Sequence, residues 1–141
     1  NVNFIKIKCI AENKPLGTAG SLKLLPDNFK EPIIVINGDV LTKTNFKDVL
    51  KYHSINNADI TICAREHKLE SPFGVIEVEE IYFKSMIEKP SFRQLVNAGI
   101  YVINPSILKS IKPDKYLDMP DFVSFTKKNS FSIRVELPEY S

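Results

Sequence analysis

Apolar and polar residues alternate or cluster along the chain in a pattern that predicts strands separated by helices. Near the start, Ile5, Ile7 and Cys9 alternate with lysines, the period of two that is typical of a strand with one solvated face. Residues 32–37 include four consecutive β-branched residues, which predict the most buried strand of a sheet, covered on both faces. Further strands are expected at 60–64, 73–78, 82–87, 95–103 and 132–137. The strands at 73–78 and 82–87 are expected to pair as a hairpin.

Three helices are predicted between these strands. The first covers residues 19–25 and ends before Pro26. The second has Thr44 as its N-cap. Its apolar face consists of Phe46, Val49, Leu50 and His53. The third opens at residues 118–121, where a proline is tolerated in the first turn and acidic groups favour the helix dipole.

The order of these elements predicts one α/β domain over residues 1–141. Strands and helices alternate in the first half, which favours a largely parallel sheet with helices on its faces. The hairpin at 73–87 is expected to add an antiparallel element to that sheet, so the predicted sheet is mixed and mostly parallel. No internal repeat or linker divides the chain.

The composition is that of a chain with a packed core and a nearly balanced charge. Apolar residues make up 43% of the 141 residues, which excludes a disordered chain. With 19 basic and 17 acidic residues the net charge is +2, without the basic excess of a nucleic-acid-binding protein. No apolar run approaches the roughly 18 residues of a membrane span, so we expect a cytoplasmic protein without a nucleic-acid or membrane partner. Cys9 and Cys63 lie in apolar runs without metal-ligand spacing and are expected to be buried, reduced thiols.

Two features fall where strands of an open α/β sheet present their carboxyl ends, the usual position of ligands. In residues 16–20 a strand gives way to a helix, and the glycines there would leave free N–H groups for polar ligand edges. The alternative for this segment is a plain strand-to-helix turn. Asp39 follows a predicted strand in the sequence Asn37-Gly38-Asp39 and could hold a hard cation such as Mg²⁺, or simply bond to its own backbone in a turn.

Three later segments also have the composition of ligand contacts. A glycine follows Phe73, and another interrupts the predicted strand at Asn97-Ala98-Gly99, where glycine often marks close approach by a ligand. Lys89 precedes a proline that should hold the chain extended, so its ammonium could meet a phosphate. Each feature alone is more often surface charge or a bulge than a site.

Taken in order, five motifs resemble those of the sugar-phosphate nucleotidyltransferases, also called sugar-nucleotide pyrophosphorylases. They are Pro15-Leu16-Gly17-Thr18-Ala19-Gly20, Asn37-Gly38-Asp39, Phe73-Gly74-Val75, Glu88-Lys89-Pro90 and Asn97-Ala98-Gly99-Ile100-Tyr101. The stretch Leu117-Asp118-Met119-Pro120-Asp121 also resembles the branch that transfers guanylyl groups to hexose or heptose 1-phosphates. The resemblance implies the Rossmann-like, three-layer α/β/α nucleotide-diphospho-sugar transferase fold. The activity it implies is nucleotidyl transfer from an NTP, GTP in this branch, to a sugar 1-phosphate, giving an NDP-sugar and pyrophosphate.

The resemblance also implies a role for each motif. The residues expected against the nucleobase are Leu16, Gly17, Thr18, Ala19 and Gly20. Gly38 would lie near the ribose, and Asp39 would hold Mg²⁺. Those expected to line the sugar pocket are Gly74, Glu88, Asn97 and Gly99. Lys89 would meet the phosphate of the sugar.

The same resemblance predicts the central segment of such an enzyme, truncated at both ends. The family's glycine-rich phosphate loop would precede Asn1, and its second metal-binding aspartate would follow the strand at 132–137. We therefore expect the chain alone to turn over slowly or not at all.

Two other functions fit parts of the sequence. A glycosyltransferase of similar architecture usually carries an Asp-x-Asp metal motif, which Asp39-Val40-Leu41 does not provide. A regulatory module that binds a nucleotide or sugar without catalysis would agree with the predicted loss of both ends of the site.

Overall fold

The computed structural model describes residues 6–137. Its helices are α1 (Gly17–Gly20), α2 (Phe46–Ile55), α3 (Pro105–Leu108) and α4 (Met119–Lys128), and a 3₁₀ turn at Ser21–Leu24 continues α1. Its strands are β1 (Ile33–Ile36), β2 (Ile60–Glu70), β3 (Val75–Glu79), β4 (Tyr82–Ile87), β5 (Ser91–Ile103) and β6 (Ile133–Glu136). The predicted elements from residue 19 onward are therefore found, while the short helix α3 was not predicted.

Four strands form a mixed sheet in the order β1-β5-β2-β6, as predicted for the fold class. β5 pairs antiparallel with both β1 and β2, and β6 pairs parallel with β2. Hence β1, β2 and β6 share one direction and β5 alone runs against them. Three of the four strands are thus parallel in direction. Because β5 lies between β1 and β2, two of the three strand pairs are nevertheless antiparallel.

Helices cover both faces of this sheet. On one face Tyr101 and Ile103 of β5 pack with Phe122 of α4. On the other face Ile100 and Val102 pack with Val49 of α2. Successive residues of a strand point to opposite faces, so the end of β5 contributes to both hydrophobic clusters and is buried from residue 99 to 103. The result is three layers, helix on sheet on helix.

The prediction that residues 32–37 form the most buried strand is wrong. β1 lies at an edge of the sheet, its residues are partly exposed, and Ile36 is 41% exposed. The deepest positions belong instead to the central strands, at Ile60 of β2 and at the end of β5. A β-branched run has high strand propensity at an edge as well as in the centre, so the run predicted the strand but not its place.

The hairpin does not join the main sheet, which corrects a second prediction. β3 and β4 pair with each other in a separate two-stranded sheet. Between them Glu80 adopts φ +56, a left-handed conformation that a glycine or asparagine would favour. In the sequence the hairpin lies between β2 and β5. Residues 64–70 of β2 pair with residues 91–97 of β5 and form a two-stranded ribbon. Most of this ribbon is exposed, so it leads the chain away from the core.

The strand predicted around Ile5, Ile7 and Cys9 is not found. Ile5 lies outside the described residues, and residues 6–10 form no strand. Ile7 is 84% exposed and Cys9 is exposed, so the expectation of a buried thiol is wrong for Cys9. Alternation buries an apolar face only when a partner strand and a helix layer accept it, and no described strand pairs with this segment.

The second helix begins one residue later than predicted. Asn45 is its N-cap, and its side-chain oxygen accepts a hydrogen bond from the Lys47 N–H at 3.1 Å. His53 on this helix is buried. Its Nδ1 lies 2.8 Å from the Thr61 hydroxyl and its Nε2 lies 3.2 Å from Asn104 Oδ1. Both ring nitrogens therefore have partners within the core, and His53 joins α2 to β2 and to the end of β5.

No helix among residues 6–137 is both long and apolar enough to cross a membrane.

The two thiols are expected to differ sharply in reactivity. Burial, and secondly the Glu136 carboxylate, raise the pKa of the Cys63 thiol to about 11, whereas Cys9 is exposed. At pH 8 a disulfide reagent should therefore label Cys9 rapidly and Cys63 only on unfolding. Cys9→Ser should remove the fast reaction, and rapid labelling of that variant would contradict the burial of Cys63.

The same pKa shift makes stability depend on pH. The folded state favours the neutral thiol, so this contribution is complete below the ordinary pKa of 9.0 and is lost as the pH rises towards about 11. Urea denaturation of the wild type and of Cys63→Ala should show this loss in the wild type and a smaller loss in the variant. Equal slopes over this range in the two proteins would contradict the assignment.

Candidate active site

A cleft of about 730 Å³ opens beyond the carboxyl end of β1. The residues that line it are Asp39, Val40, Leu41, Thr42, Arg65, Glu66, Asn97, Ala98 and Ile100. Two residues predicted from the motifs, Asp39 and Asn97, thus lie in one cleft although 58 positions separate them in the sequence. This is the edge of the sheet where ligands of open α/β folds bind.

A bulge in β5 shapes this cleft. Cys63 pairs with Ile100 and Ala64 pairs with Asn97, so Ala98 and Gly99 have no partners on β2. Gly99 adopts φ +72, and a Cβ there would lie 2.9 Å from Asn37 Nδ2 and 3.0 Å from a Val40 methyl. The glycine inside the predicted strand therefore marks a close approach, and the group that approaches is the chain's own β1 loop.

Hydrogen bonds fix both the loop and the asparagine at the bulge. The Asn37 N–H donates to the Gly99 carbonyl at 2.9 Å. Asn97 Oδ1 accepts from the Gly99 N–H at 3.0 Å, and its Nδ2 donates to the Tyr101 hydroxyl. The amide of Asn97 is thereby held in one orientation beside the cleft.

The Asp39 carboxylate is not needed to support the turn in which it lies. A backbone hydrogen bond from the Val40 N–H to the Asn37 carbonyl at 3.1 Å closes the turn, so the carboxylate is not required for it. Asp39 is exposed. Within residues 6–137 no group of three or more His, Cys, Asp or Glu residues could form a complete metal cage. Mg²⁺ needs no such cage, because it binds through one or two carboxylates with waters and substrate phosphates.

Residues 16–20, the glycine-rich loop, are packed against residues 115–119, which we call the approach segment. The N–H groups of Ala19 and Gly20 both donate to the Leu117 carbonyl at 2.9 Å, and the Thr18 N–H donates to Asp118 Oδ1 at 3.3 Å. The expectation that these three N–H groups are free for a ligand is therefore wrong. Residues 97 to 100 positions later accept their hydrogen bonds, and no local pattern shows such a partner.

The two glycines of this loop allow that packing. Gly17 adopts φ +79, and a Cβ there would lie 2.6 Å from the Leu117 carbonyl oxygen. A Cβ on Gly20 would lie 2.8 Å from the Lys115 carbonyl oxygen. Both contacts are shorter than van der Waals distance, so any larger residue would push the approach segment away.

The remaining predicted site residues lie outside the lining of this cleft. A Cβ on Gly74 would lie 3.0 Å from Glu88 Oε2, so these two predicted sugar-pocket residues are close to each other. Lys89 is exposed and adopts φ +44, so the prediction of an extended backbone before the proline is wrong. The chain turns here between β4 and β5, and the Pro90 carbonyl accepts a hydrogen bond from the Ser71 N–H at 3.0 Å.

Arg65 and Glu66 also line the cleft, although no sequence motif marks them. Glu66 is within 3.6 Å of the Arg93 guanidinium, whereas Arg65 is the one cation among the described residues of the lining. Both belong to a charged run that resembles an ordinary solvated strand face. The β2–β5 register, which pairs Arg65 with Val96 beside Asn97, would have revealed them.

A family model described as "Nucleotidyl transferase" matches residues 1–128. The mannose-1-phosphate guanylyltransferase 1 of Arabidopsis thaliana is 37% identical over 116 residues, which are 77% of this chain and 32% of that protein. The catalytic subunit beta of mannose-1-phosphate guanylyltransferase from Dictyostelium discoideum is 36% identical over 115 residues, with the same coverage. The chain therefore spans about a third of the length of these curated relatives.

Solved structures share the fold. HddC from Yersinia pseudotuberculosis superposes with a TM-score of 0.62 at 22% identity, covering 92% of this chain and 57% of that one. The same protein complexed with GMP-PN gives a TM-score of 0.62 at 23% identity, covering 91% and 56%. The predicted α/β fold of nucleotide-diphospho-sugar transferases is confirmed.

The bulge geometry predicts unequal costs for two glycine substitutions. Gly99→Ala should lower the free energy of unfolding by about 1–3 kcal/mol, because alanine would be strained at φ +72 and would crowd Asn37. Gly38→Ala is the matched control, since a Cβ there meets no atom within 4 Å. Urea denaturation measures both, and an equal loss in the two variants would contradict the role given to Gly99.

Proposed function

The chain belongs to the nucleotidyl transferase family, and on that premise we propose that the protein transfers a guanylyl group from GTP to a sugar 1-phosphate, with mannose 1-phosphate as the first candidate. The observation that carries the proposal is the cleft that joins Asp39 and Asn97 at the carboxyl end of β1. The names of the relatives favour mannose 1-phosphate, and the neighbour complexed with GMP-PN favours a guanine nucleotide. A cytoplasmic location stays a prediction.

The chemistry of this transfer agrees with the groups that the cleft contains. An oxygen of the sugar phosphate would attack the α-phosphorus of the triphosphate, and the bond to the β-phosphate would break to release pyrophosphate. The second pKa of a phosphate monoester is about 6, so the nucleophile is already ionised at neutral pH and needs no general base. Accordingly, His53 can serve the core with both ring nitrogens engaged.

What the reaction requires is alignment and the neutralisation of crowded negative charge. Asp39 is the residue that we propose to hold Mg²⁺, which when bound would offset phosphate charge. Lys89 would meet the phosphate of the sugar, and Arg65 adds a second cation on the side of the cleft formed by β2. Glu66 lies 3.6 Å from the Arg93 guanidinium, which places a further cation beside that carboxylate.

The motif residues divide between the two substrates in this proposal. The glycine-rich loop and Gly38 would face the nucleotide, with the exposed Thr18 as the accessible part of the loop. The sugar would be bound by Gly74, Glu88, Asn97 and Gly99. Asn97 is the best supported of these, because it lines the cleft with its amide already oriented.

We expect slow turnover, or none, from the 141 residues by themselves. Among the described residues that line the cleft, only Asp39 and Glu66 are carboxylates, and Arg65 alone is cationic. A triphosphate and a sugar phosphate together carry more charge than these groups offset. Assays should therefore use the full-length protein that contains this sequence.

The central test measures pyrophosphate release by the full-length protein with GTP, mannose 1-phosphate and Mg²⁺. Asp39→Asn should lower kcat/KM by about 10²–10³-fold, the usual cost of removing one group that stabilises transition-state charge. Asp27→Asn is the matched control, since Asp27 is exposed and its nearest cation, Lys23, is 3.9 Å away. Absence of pyrophosphate with every triphosphate and sugar 1-phosphate tried would overturn the proposed function.

A second test concerns the phosphate of the sugar. Lys89→Ala should raise the KM for the sugar phosphate about tenfold or more, because a hydrogen bond to a charged group contributes roughly 1.5–3 kcal/mol. The KM for GTP should change little. Lys84→Ala, which removes an exposed lysine paired with Glu77 at 3.2 Å, should leave both constants unchanged. An unchanged sugar-phosphate KM in Lys89→Ala would remove Lys89 from the site.

A further inference from the structure

We propose that Thr18 and Asp118 are positioning residues that hold the glycine-rich loop in the conformation that accepts the nucleotide. The inference rests on the proposed function and adds to it a partner for the loop, namely the approach segment at the start of α4. Thr18 and Asp118 are separated by 100 positions; the Thr18 N–H donates to the Asp118 carboxylate, and the Thr18 hydroxyl oxygen accepts from the N–H of Met119, the residue after Asp118.

Asp118 occupies the N-cap position of α4 but does not cap that helix. Its backbone is extended, as an N-cap should be, yet its side chain makes no capping hydrogen bond. Instead, Oδ1 accepts the Thr18 N–H at 3.3 Å and Oδ2 accepts the Tyr116 hydroxyl at 2.9 Å. The Asp118 side chain therefore binds the glycine-rich loop and does not cap its own helix.

Thr18 accepts a hydrogen bond from the first residue of α4. The Met119 N–H donates to the Thr18 hydroxyl oxygen at 2.8 Å. The first N–H groups of a helix have no partner within it, so this contact satisfies a donor that would otherwise depend on water. The loop and the start of α4 thus satisfy hydrogen-bonding groups on each other, as the two residues of a capping box do, although here they come from distant parts of the chain.

Tyr116 fixes the second oxygen of Asp118. The hydrogen bond to Asp118, and its negative charge, raise the pKa of Tyr116, so the phenol remains a donor at neutral pH. With one oxygen facing the loop and the other facing Tyr116, the Asp118 carboxylate has one favoured orientation. That orientation places Thr18, the exposed residue of the loop, relative to α4.

Backbone contacts hold the loop in place even without these side chains. Leu117 accepts from Ala19 and Gly20 through its carbonyl and donates to the Leu16 carbonyl at 2.8 Å through its N–H. Removing the Thr18–Asp118 pair should therefore loosen the exposed part of the loop without unfolding it. A purely structural pair would lower stability and affect both substrates alike, whereas a positioning pair should affect the nucleotide selectively.

The experiment measures KM for GTP, KM for the sugar phosphate and kcat in the full-length protein. Thr18→Val removes the hydroxyl acceptor at nearly constant volume, and Asp118→Asn removes the charge. Each should raise the KM for GTP about fivefold, as expected for a hydrogen bond that contributes roughly 1 kcal/mol, with the sugar-phosphate KM within twofold of wild type. Thr18→Ser should restore the wild-type value.

A double-mutant cycle tests whether Thr18 and Asp118 act together on the loop. If the pair acts as a unit, Thr18→Val combined with Asp118→Asn should cost little more than either change alone. Additive effects, or an unchanged GTP KM in Asp118→Asn, would mean that Thr18 acts independently of Asp118 and would overturn the inference. If Asp118→Asn does not fold, Tyr116→Phe takes its place in the cycle. Ser124→Ala, which alters an exposed hydroxyl of α4 bonded to the Pro120 carbonyl, is the control and should change nothing.

Other outcomes are equally decisive. Equal rises in both KM values together with a lower melting temperature would make the pair structural only and would overturn the inference. An active wild type whose variants all keep a GTP KM within twofold would overturn it as well, while leaving the proposed function intact. An inactive wild type would instead overturn the proposed function.

Discussion

The hydrogen bond from the Asn37 N–H to the Gly99 carbonyl joins the end of β1 to the bulge of β5, and the cleft depends on this contact. On the core side of the bulge, residues 100–103 pack into both hydrophobic clusters. Beyond it, β2 and β5 leave the core as an exposed ribbon that carries Arg65 and Asn97. The left-handed conformation of Gly99 allows this change, so one backbone position separates the part of the sheet that stabilises the fold from the part that forms the site.

Local sequence patterns predict most of the helices and strands but not which elements lie next to one another in the fold. The apolar face of α2, the hairpin and the opening of α4 follow from spacing within a few residues, and all three are found. The run at 32–37 predicts the most buried strand, but its only described neighbour is β5, whose paired residues are 64 to 70 positions later. Strand order is decided by such distant pairings, which residue type alone does not encode.

The candidate site divides in the same way. Asp39 and Asn97 could be predicted because turn and strand glycines beside polar residues mark them in the sequence, and they do share a cleft. The sequence could not show that the N–H groups of the glycine-rich loop are occupied, because their acceptors, Leu117 and Asp118, lie about 100 positions later in the chain. Arg65 was missed because a charged strand residue is ordinary at a surface, and only the register with β5 brings it beside Asn97.

The bulge also determines which changes of length the chain can tolerate. Side chains of a strand alternate between faces, so deleting one residue at Ala98 or Gly99 would turn residues 91–97 onto the opposite face of their pairing with β2. The cleft would then lose the orientation of Asn97 while the packing of residues 100–103 persisted. The exposed turn at Glu80 and Ile81 has no such constraint, because β3 and β4 pair only with each other among the described strands. Homologues should therefore vary in length at the hairpin and keep the residue count of β5 constant.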